Sequence, residues 1–168
     1  GSSVTIMPDK RTIVGYTTKN SGGVPANFKN YFVLRFDHEF SFVGSIEDGK
    51  LSEGKTSATS NHAMAVVGFH TKRGEQVNIQ VASSFISNEQ AQRNLKEVEG
   101  KTFDEVKSEG RKEWNNILGR IEVEDDNIDH LRTFYSCLYR SVLFPRSFYE
   151  FDEQGNPIHY SPYNGKVL

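Results

Sequence analysis

Cysteine is almost absent from this 168-residue sequence, and further absences narrow the class of protein. The one cysteine, Cys137, cannot form a disulfide within the chain. No apolar run approaches the ~20 residues that a membrane-spanning helix needs, so no membrane span is predicted. Lysine and arginine total 20 against 22 acidic residues, which gives a net charge of −2 and no basic stripe. Nucleic acid is therefore not an expected partner.

Motifs for nucleotide binding and nucleophilic catalysis are also lacking. No G-x-S-x-G sequence is present, and Cys137 has no obvious partner base. Gly44–Lys50 matches the first seven positions of a phosphate-binding loop, but Leu51 stands where that loop needs Ser or Thr. Asp48 and Gly49 instead predict a hairpin turn.

Metal-binding spacing is missing as well. The five histidines show no zinc-binding pattern. Asp125–Asp129 resembles the start of a calcium-binding loop, but His130 and Ser136 stand where that loop requires Gly and Glu. A helix cap is the preferred interpretation of this segment. No metal site is predicted in this chain.

The first half of the chain does contain short apolar runs separated by turn residues. These runs are rich in Val, Ile, Thr, Phe and Tyr, which favours strands. The predicted strands are Val4–Met7, Thr12–Thr18, Tyr31–Phe36, Phe40–Glu47, His62–Phe69 and Gln76–Ser83. In the last one, Val77, Ile79 and Val81 alternate with polar residues, which predicts a half-buried antiparallel strand. Six strands at this spacing indicate part of a β-sandwich.

Two helices are predicted to follow the strands. Ser87 and Thr102 each open a capping-box pattern, in which the first side chain and an acid or amide three residues later cap the helix start. We expect the two helices to end near Val98 and Leu118. After them, Arg120–Glu124 alternates like a short strand.

The third predicted helix, Ile128–Leu143, has the most regular apolar stripe. The stripe consists of Ile128, Leu131, Phe134, Tyr135, Leu138 and Val142, which follow the helical period. Pro145 ends the helix, and Phe148–Phe151 and Ile158–Tyr160 are expected to pair as a hairpin. Because an isolated helix of this length is marginal in water, the stripe needs partners. We expect the chain to be a piece of a larger protein, and we expect Phe134 and Leu138 to be covered in a homo-oligomer.

Three pairs of acids could act in glycoside hydrolysis. They are Asp37/Glu39, Glu122/Glu124 and Glu150/Asp152. On a strand, two acids at this spacing share a face about 6.6 Å apart, and inverting glycosidases use separations of roughly 6.5–9.5 Å. Solvated strand faces show the same pattern routinely, so we assign no catalytic residue.

The segment near the end of the sequence is the best candidate for sugar binding. His159, Tyr160, Tyr163 and Asn164 combine stacking rings with imidazole and amide hydrogen-bonding groups in one loop. Aromatic faces and side-chain amides are groups that suit a sugar ring. The alternative is a packed aromatic loop closed by an Asn-Gly turn.

Several segments resemble one enzyme family. Leu138-Tyr-Arg-Ser-Val-Leu-Phe-Pro145 and the run from His159 to Leu168 look like the start of the catalytic domain in family 92 of the glycoside hydrolases. Upstream, Ala91–Leu95, Phe103-Asp104 and Trp114-Asn115 resemble the linker of that family. The first half of the chain fits the N-terminal β-sandwich of the family by the order and type of its elements.

The resemblance implies an α+β fold class: a partial antiparallel β-sandwich (residues 1–86), a helical linker (87–124), and the first helix and hairpin of a truncated (α/α)6 catalytic domain (125–168). It also implies a periplasmic or secreted, calcium-dependent, inverting exo-α-mannosidase that acts on mannose-terminated glycans. The acid, base and calcium ligands of the family lie beyond Leu168. We therefore expect this chain to be inactive alone and to bind no calcium tightly.

Two alternatives to an enzyme fragment stay open at this stage. One is a non-catalytic carbohydrate-binding β-sandwich module, and the other is a structural or interaction domain. The third helix favours the enzyme fragment, because a complete binding domain has no need of an unpaired apolar stripe.

Overall fold

The computed structural model describes residues 1–168 and consists of antiparallel sheets with three α-helices. In chain order the strands are β1 (Ser2–Met7), β2 (Thr12–Thr17), β3 (Asn30–Phe36), β4 (Phe42–Glu47), β5 (Lys50–Glu53), β6 (Ser57–Ser60), β7 (Ala63–Gly68), β8 (Ile79–Ser84), β9 (Tyr149–Phe151) and β10 (Pro157–His159). The α-helices are α1 (Asn88–Asn94), α2 (Phe103–Leu118) and α3 (Ile128–Ser141), and 3₁₀ turns cover Pro8–Lys10 and Leu95–Val98. The predicted α+β class is confirmed.

Two of the sheets pack face to face as a sandwich. One has five strands in the order β6-β1-β2-β3-β8, and the other has three in the order β5-β4-β7. Ile6, Ile13 and Phe36 from the first sheet are buried, and Val43 and Val67 from the second pack against them. Alternating strand residues thus place one apolar face of each sheet in a shared core.

The opposite face of the five-stranded sheet is covered by α1 and the 3₁₀ turn that follows it. Val33 and Ala91 have no exposed surface and Leu95 is 1% exposed, and these three form a second buried cluster. Val33 and Leu34 are neighbours in β3 and serve the two different cores, as the period of two in a strand requires.

The strands predicted from the sequence agree well with those in the structure. All six predicted strands are present with small shifts at their ends, and the two strands β5 and β6 were not predicted. The predicted turn at Asp48 and Gly49 is confirmed. It joins β4 to β5, with positive φ angles of 47° and 88° at the two turn residues.

The prediction that β8 is a half-buried antiparallel strand is confirmed, but the buried face is not the apolar one. Ile79 and Val81 are 50% and 60% exposed, whereas Gln80 points toward the helical side and donates from Nε2 to the Val98 carbonyl at 2.8 Å. The physical reason is position: β8 is an edge strand, and the three-stranded sheet lies mainly over β1 and β6 at the other edge. Only Val77, just before the strand, packs against the sandwich core.

Both predicted helix starts are confirmed, but they are capped differently. Thr102 begins α2 with a complete capping box: its Oγ1 accepts from the Glu105 N–H and its own N–H donates to Glu105 Oε2 at 2.7 Å. Ser87 caps α1 by accepting from the Gln90 N–H. The Gln90 side chain does not return to Ser87, because it bonds elsewhere in the fold.

Helices α2 and α3 belong to a second compact unit, Gly100–Phe148. Trp114 of α2 packs against Tyr139 of α3 with ring centroids 4.5 Å apart, and Tyr135 Oη donates to the Ile121 carbonyl at 3.1 Å. No residue of either helix is buried. Phe134 and Leu138 are half-buried, and the expected homo-oligomer through this stripe stays a prediction.

The short strand predicted at Arg120–Glu124 is absent, and this prediction is wrong. The segment alternates in sequence, but no other strand pairs with it. A strand needs a partner for its backbone hydrogen bonds, so alternation alone did not produce one.

The first compact unit comprises Gly1–Glu99 together with Tyr149–Leu168. The hairpin β9–β10 is confirmed within this unit, with Glu150 opposite Ile158. The expected division of the chain into domains at residues 86 and 124 stays a prediction. None of the helices is long and apolar enough to cross a bilayer.

Candidate functional site

The candidate sugar-binding segment forms a tightly closed loop after β10. His159 and Leu168 exchange two backbone hydrogen bonds of 2.9 and 3.0 Å. Inside that pair, the Ser161 N–H donates to the Lys166 carbonyl at 2.8 Å, and the Gly165 N–H donates to the Ser161 carbonyl at 2.9 Å. The loop residues 161–166 are therefore held at their base by regular backbone pairing, and their side chains project from a defined backbone.

Tyr160 anchors this loop to the sandwich unit. Its side chain is buried, and its ring meets Phe28 edge-on with centroids 6.2 Å apart. The hydroxyl donates to Asn27 Oδ1 at 3.1 Å, and Asn27 Nδ2 donates to the Gly165 carbonyl at 2.9 Å. A single amide from the β2–β3 connection thus contacts both ends of the loop.

The four predicted sugar-binding residues lie at the end of β10 and in the loop after it, with His159 as the last residue of β10, and they differ in access. His159 and Asn164 are exposed, and Tyr163 is 93% exposed. Asn164 Oδ1 accepts from the Lys166 N–H at 3.0 Å, which leaves its amide N–H₂ directed to no partner in the chain. Tyr160 is the exception, because its ring and hydroxyl are used in packing. The alternative of a packed aromatic loop describes Tyr160, whereas the other three residues remain available to a ligand.

A second group of contacts fixes the hairpin that precedes the loop. Glu150 Oε1 accepts from the Phe85 N–H at 3.1 Å, and its Oε2 accepts from Asn94 Nδ2 at 2.7 Å. Gln90, which is 2% exposed, donates from Nε2 to the Phe151 carbonyl at 2.8 Å and to Asn94 Oδ1 at 2.9 Å. Helix α1 therefore holds β9 by side-chain amides.

The pair Glu150/Asp152 is occupied by structural contacts. Asp152 closes the hairpin turn by accepting from the N–H groups of Gln154 and Asn156 at 2.9 and 2.8 Å. Hydrogen bonds from the Asn156 side chain and then from its backbone hold the pKa of Asp152 below its ordinary value. A carboxylate stabilised in its charged form by several donors is a poor proton donor near neutral pH.

The pair Asp37/Glu39 is also incomplete as an acid–base pair. Asp37 accepts from Asn78 through the backbone N–H at 3.0 Å and through Nδ2 at 2.7 Å, and from His38 Nδ1 at 2.5 Å. Burial alone would raise the pKa of Asp37, but the bonds from His38 and Asn78 outweigh it and lower that pKa. Glu39 is exposed.

The third pair, Glu122/Glu124, lies in the segment where the predicted strand is absent. The strand spacing that suggested a shared face does not apply there. None of the three carboxylate pairs therefore presents two free acids on one strand face.

No group of three or more His, Cys, Asp or Glu side chains is placed to hold a metal ion. The calcium-loop-like segment is a helix start, as preferred from the sequence. Asn127 is the capping residue and accepts from the Asp129 N–H at 3.0 Å, and Asp125 accepts from the Asn127 N–H at 2.7 Å and from His130 Nδ1 at 3.1 Å.

Sequence reasoning missed Asn27, Gln90 and Asn94. Asn27 has no motif around it, whereas the sequence marked Gln90 only as part of the capping box and Asn94 only as part of the run Ala91–Leu95. The role of each depends on a contact more than 50 residues away in the chain.

Comparison with known proteins identifies the family. The model of the glycosyl hydrolase family 92 N-terminal domain matches residues 1–84, and the model of the family 92 catalytic domain matches residues 90–168. The chain belongs to glycosyl hydrolase family 92. The resemblance inferred from the sequence is confirmed.

Particular members of the family share this fold closely. The family GH92 inverting mannosidase BT2199 from Bacteroides thetaiotaomicron VPI-5482 is 47% identical, with a TM-score of 0.95 over 99% of this chain and 23% of that chain. The family GH92 α-mannosidase BT3965 from Bacteroides thetaiotaomicron is 27% identical, with a TM-score of 0.75 over 93% of this chain and 22% of that chain.

A curated relative is also similar over part of the chain. It is an uncharacterized secreted glycosidase of Arthroderma benhamiae, 32% identical over 78 residues, which are 44% of this chain and 10% of that protein. The chain thus spans less than a quarter of the length of each of these relatives.

Proposed function

We propose that this chain is the scaffold portion of an inverting exo-α-mannosidase that acts on mannose-terminated glycans. The observation that carries the proposal is the match of both family models in order along the chain. The 47% identity and TM-score of 0.95 to an inverting mannosidase support the substrate class and the stereochemistry.

Within this enzyme, the 168 residues supply structure and part of the sugar-binding surface. Tyr163 offers an exposed ring for stacking, and His159 and Asn164 offer exposed hydrogen-bonding groups in the same segment. The carboxylate pairs of the chain are used in turns, in loop contacts or on exposed segments, as described above. The general acid and the general base are therefore assigned outside these residues, and the chain alone is expected to be inactive.

Calcium dependence is proposed for the whole enzyme only. The residues present do not fit a calcium site, because no three acidic or histidine side chains converge and Ca²⁺ takes six to eight oxygen ligands. We place the calcium ligands outside these residues, and no step of the reaction is derived from the ion here. Export to the periplasm or the medium is part of the same proposal, and the secreted fungal relative supports it.

The test is hydrolysis of an aryl α-mannoside by the chain alone and by a longer protein that contains it. We expect no turnover by the chain. The longer protein should release β-mannose first, as NMR of the anomeric proton would show, and should lose activity when calcium is chelated. Robust turnover by the 168 residues would contradict the scaffold role, and initial release of α-mannose would contradict inversion.

The alternative of a carbohydrate-binding module is favoured by one observation, the exposed Tyr163 on a closed loop. Calorimetric titration of the chain with methyl α-mannoside, with methyl α-glucoside as a control, measures binding without turnover. A longer protein that binds mannosides but hydrolyses none would favour the module over the enzyme.

A further inference from the structure

Asn27 lies at the surface in the connection between β2 and β3. The oxygen and the nitrogen of its side-chain amide each form a hydrogen bond. Oδ1 accepts from the Tyr160 hydroxyl at 3.1 Å, and Nδ2 donates to the Gly165 carbonyl at 2.9 Å. A side-chain amide carries a donor and an acceptor on one planar group, so Asn27 can bond to a hydroxyl and a carbonyl at the same time. Since the two partners lie 133 and 138 residues away in sequence, these contacts are tertiary and not part of a local turn.

Only a residue without a side chain at position 165 leaves room for this amide. Its φ angle is +70°, and a Cβ at this position would overlap the Asn27 Oδ1 atom. Glycine therefore serves two needs at one position: a left-handed backbone and space for the amide to approach the carbonyl. Phe28, next to Asn27, adds its edge contacts to Tyr160 and to Phe85, with centroids 6.2 and 5.7 Å apart.

The segment between the two contacts carries the exposed candidate residues. Tyr163 and Asn164 lie between Tyr160 and Gly165, so the Asn27 amide bonds to the chain three residues before Tyr163 and directly after Asn164. A loop backbone held in one conformation loses less conformational freedom when a ligand binds to its side chains, and pre-organisation of this kind improves affinity. The ring of Tyr163 itself, at 93% exposure, receives almost no support from its own packing.

We propose that Asn27 is a positioning residue that fixes the loop 161–165 so that Tyr163 and Asn164 present one face to a mannose-terminated glycan. Asn27 acts through Tyr160 and Gly165 and does not contact the sugar. This inference rests on the proposed function of the loop. In this proposal, a residue of the N-terminal domain sets the geometry of a surface whose residues lie within the part of the chain that matches the catalytic domain.

The first measurement does not depend on sugar. Amide hydrogen exchange of the full 168-residue chain is followed by NMR in wild type, Asn27→Ala and Tyr160→Phe. Loss of both bonds in Asn27→Ala is expected to speed exchange at Gly165 by about tenfold, with a smaller change in Tyr160→Phe, which keeps the bond to Gly165. Exchange in β1 and β2 should stay unchanged in both variants.

The second measurement is titration of the same samples with methyl α-mannoside. Tyr163→Ala should remove most of the binding, and Asn27→Ala should raise Kd by about the factor by which the loop is loosened. Asn20→Ala is the matched control, because Asn20 lies in the same connection and its side chain bonds only locally, to Thr18 and Gly22. It should change neither exchange at Gly165 nor Kd.

The outcomes separate the two ideas. Unchanged exchange at Gly165 in Asn27→Ala overturns the positioning role. Faster exchange with unchanged Kd, in a protein where Tyr163→Ala loses binding, overturns it too. A wild-type chain that binds no mannoside overturns the sugar-binding role of the loop, whereas the exchange data still decide whether Asn27 orders it. If Asn27→Ala does not fold, Tyr160→Phe decides the same question.

Discussion

Glu150 allows a sharp test of whether an acid near the candidate loop is structural or chemical. The change Glu150→Ala removes the acceptor of the Phe85 N–H at 3.1 Å and of Asn94 Nδ2 at 2.7 Å. Hydrogen bonds to a charged acceptor are each worth about 1.5–3 kcal/mol. Because the two bonds share one half-buried carboxylate, their losses do not add fully, and the free energy of unfolding should fall by about 2–3 kcal/mol.

The assay is thermal unfolding of the 168-residue chain followed by circular dichroism. A loss of this size lowers Tm by about 5–10 °C for a chain of this length. Glu153→Ala is the matched control in the same hairpin. Its ion pair with Arg93 at 2.6 Å involves a side chain that is 72% exposed, so Tm should change by no more than about 3 °C.

Glu150→Gln refines the test. A glutamine at position 150 has only one acceptor oxygen, so it can replace only one of the two hydrogen bonds. Asn94 also bonds to the Ser83 carbonyl and to Gln90, so its amide cannot flip to accept a bond from the new amide group. Glu150→Gln should therefore show about half of the stability loss of Glu150→Ala. If Glu150→Ala leaves Tm unchanged or raises it, the structural assignment is refuted. Removal of a strained functional group often stabilises a protein, so that result would return Glu150 to the list of candidate reactive acids.

Two further predictions concern packing and pH. Leu95→Ala should cost about 3–4 kcal/mol in urea unfolding, because Leu95 is 1% exposed between the helical turn and the sheet, whereas Leu51→Ala at a 45% exposed position should cost under about 1 kcal/mol. Hydrogen bonds to Asp37 and then Glu75 raise the pKa of His38 above its ordinary 6.5, so its stabilising effect is complete below pH 6.5 and is lost as pH rises through the raised pKa. The difference in Tm between wild type and His38→Gln should therefore shrink from pH 6 to pH 9, and a constant difference would contradict the ionic role of His38.

Local signals explain which elements could be predicted from the sequence. Thr102 and Glu105 form the capping box that their spacing predicts, because both partners lie within one turn of helix. Asp48 and Gly49 form the predicted hairpin turn, since the required positive φ angles are properties of those residues themselves. In each case the physical cause lies within a few residues, so the pattern contains it.

Elements that depend on distant partners could not be predicted in the same way. Strand β6 (Ser57–Ser60) has no apolar pattern, yet it forms because the edge of β1 pairs with it and because Ser45 Oγ donates to the Ser57 carbonyl at 3.0 Å. Arg120–Glu124 shows the reverse case: a strand-like pattern with no partner. The exposure of Ile79 and Val81 likewise depends on where the second sheet lies, which the sequence of β8 does not contain.

The candidate site shows the same division. The sequence drew attention to His159, Tyr163 and Asn164, which are exposed, and their role in sugar binding stays a prediction. It could not distinguish Tyr160 from them, because all four are aromatic or polar residues in one short segment. What separates Tyr160 is its contact with Asn27, 133 residues away. A pattern within the loop holds no information about that contact.

The stability of the segment Tyr149–Leu168 depends on contacts with the N-terminal family domain. The segment falls within the catalytic-domain match, yet it is part of the compact unit formed by the sandwich. A hairpin of two three-residue strands is not stable by itself in water, so contacts with the rest of the unit must order it. Gln90 and Asn94 bond to the hairpin from α1, and Asn27 bonds from the β2–β3 connection to the loop that follows the hairpin. Separation of the N-terminal domain from the rest at residues 84–90 would remove the contact of Asn27. The exposed face of Tyr163 therefore depends on both domains, although its residues lie in only one of them.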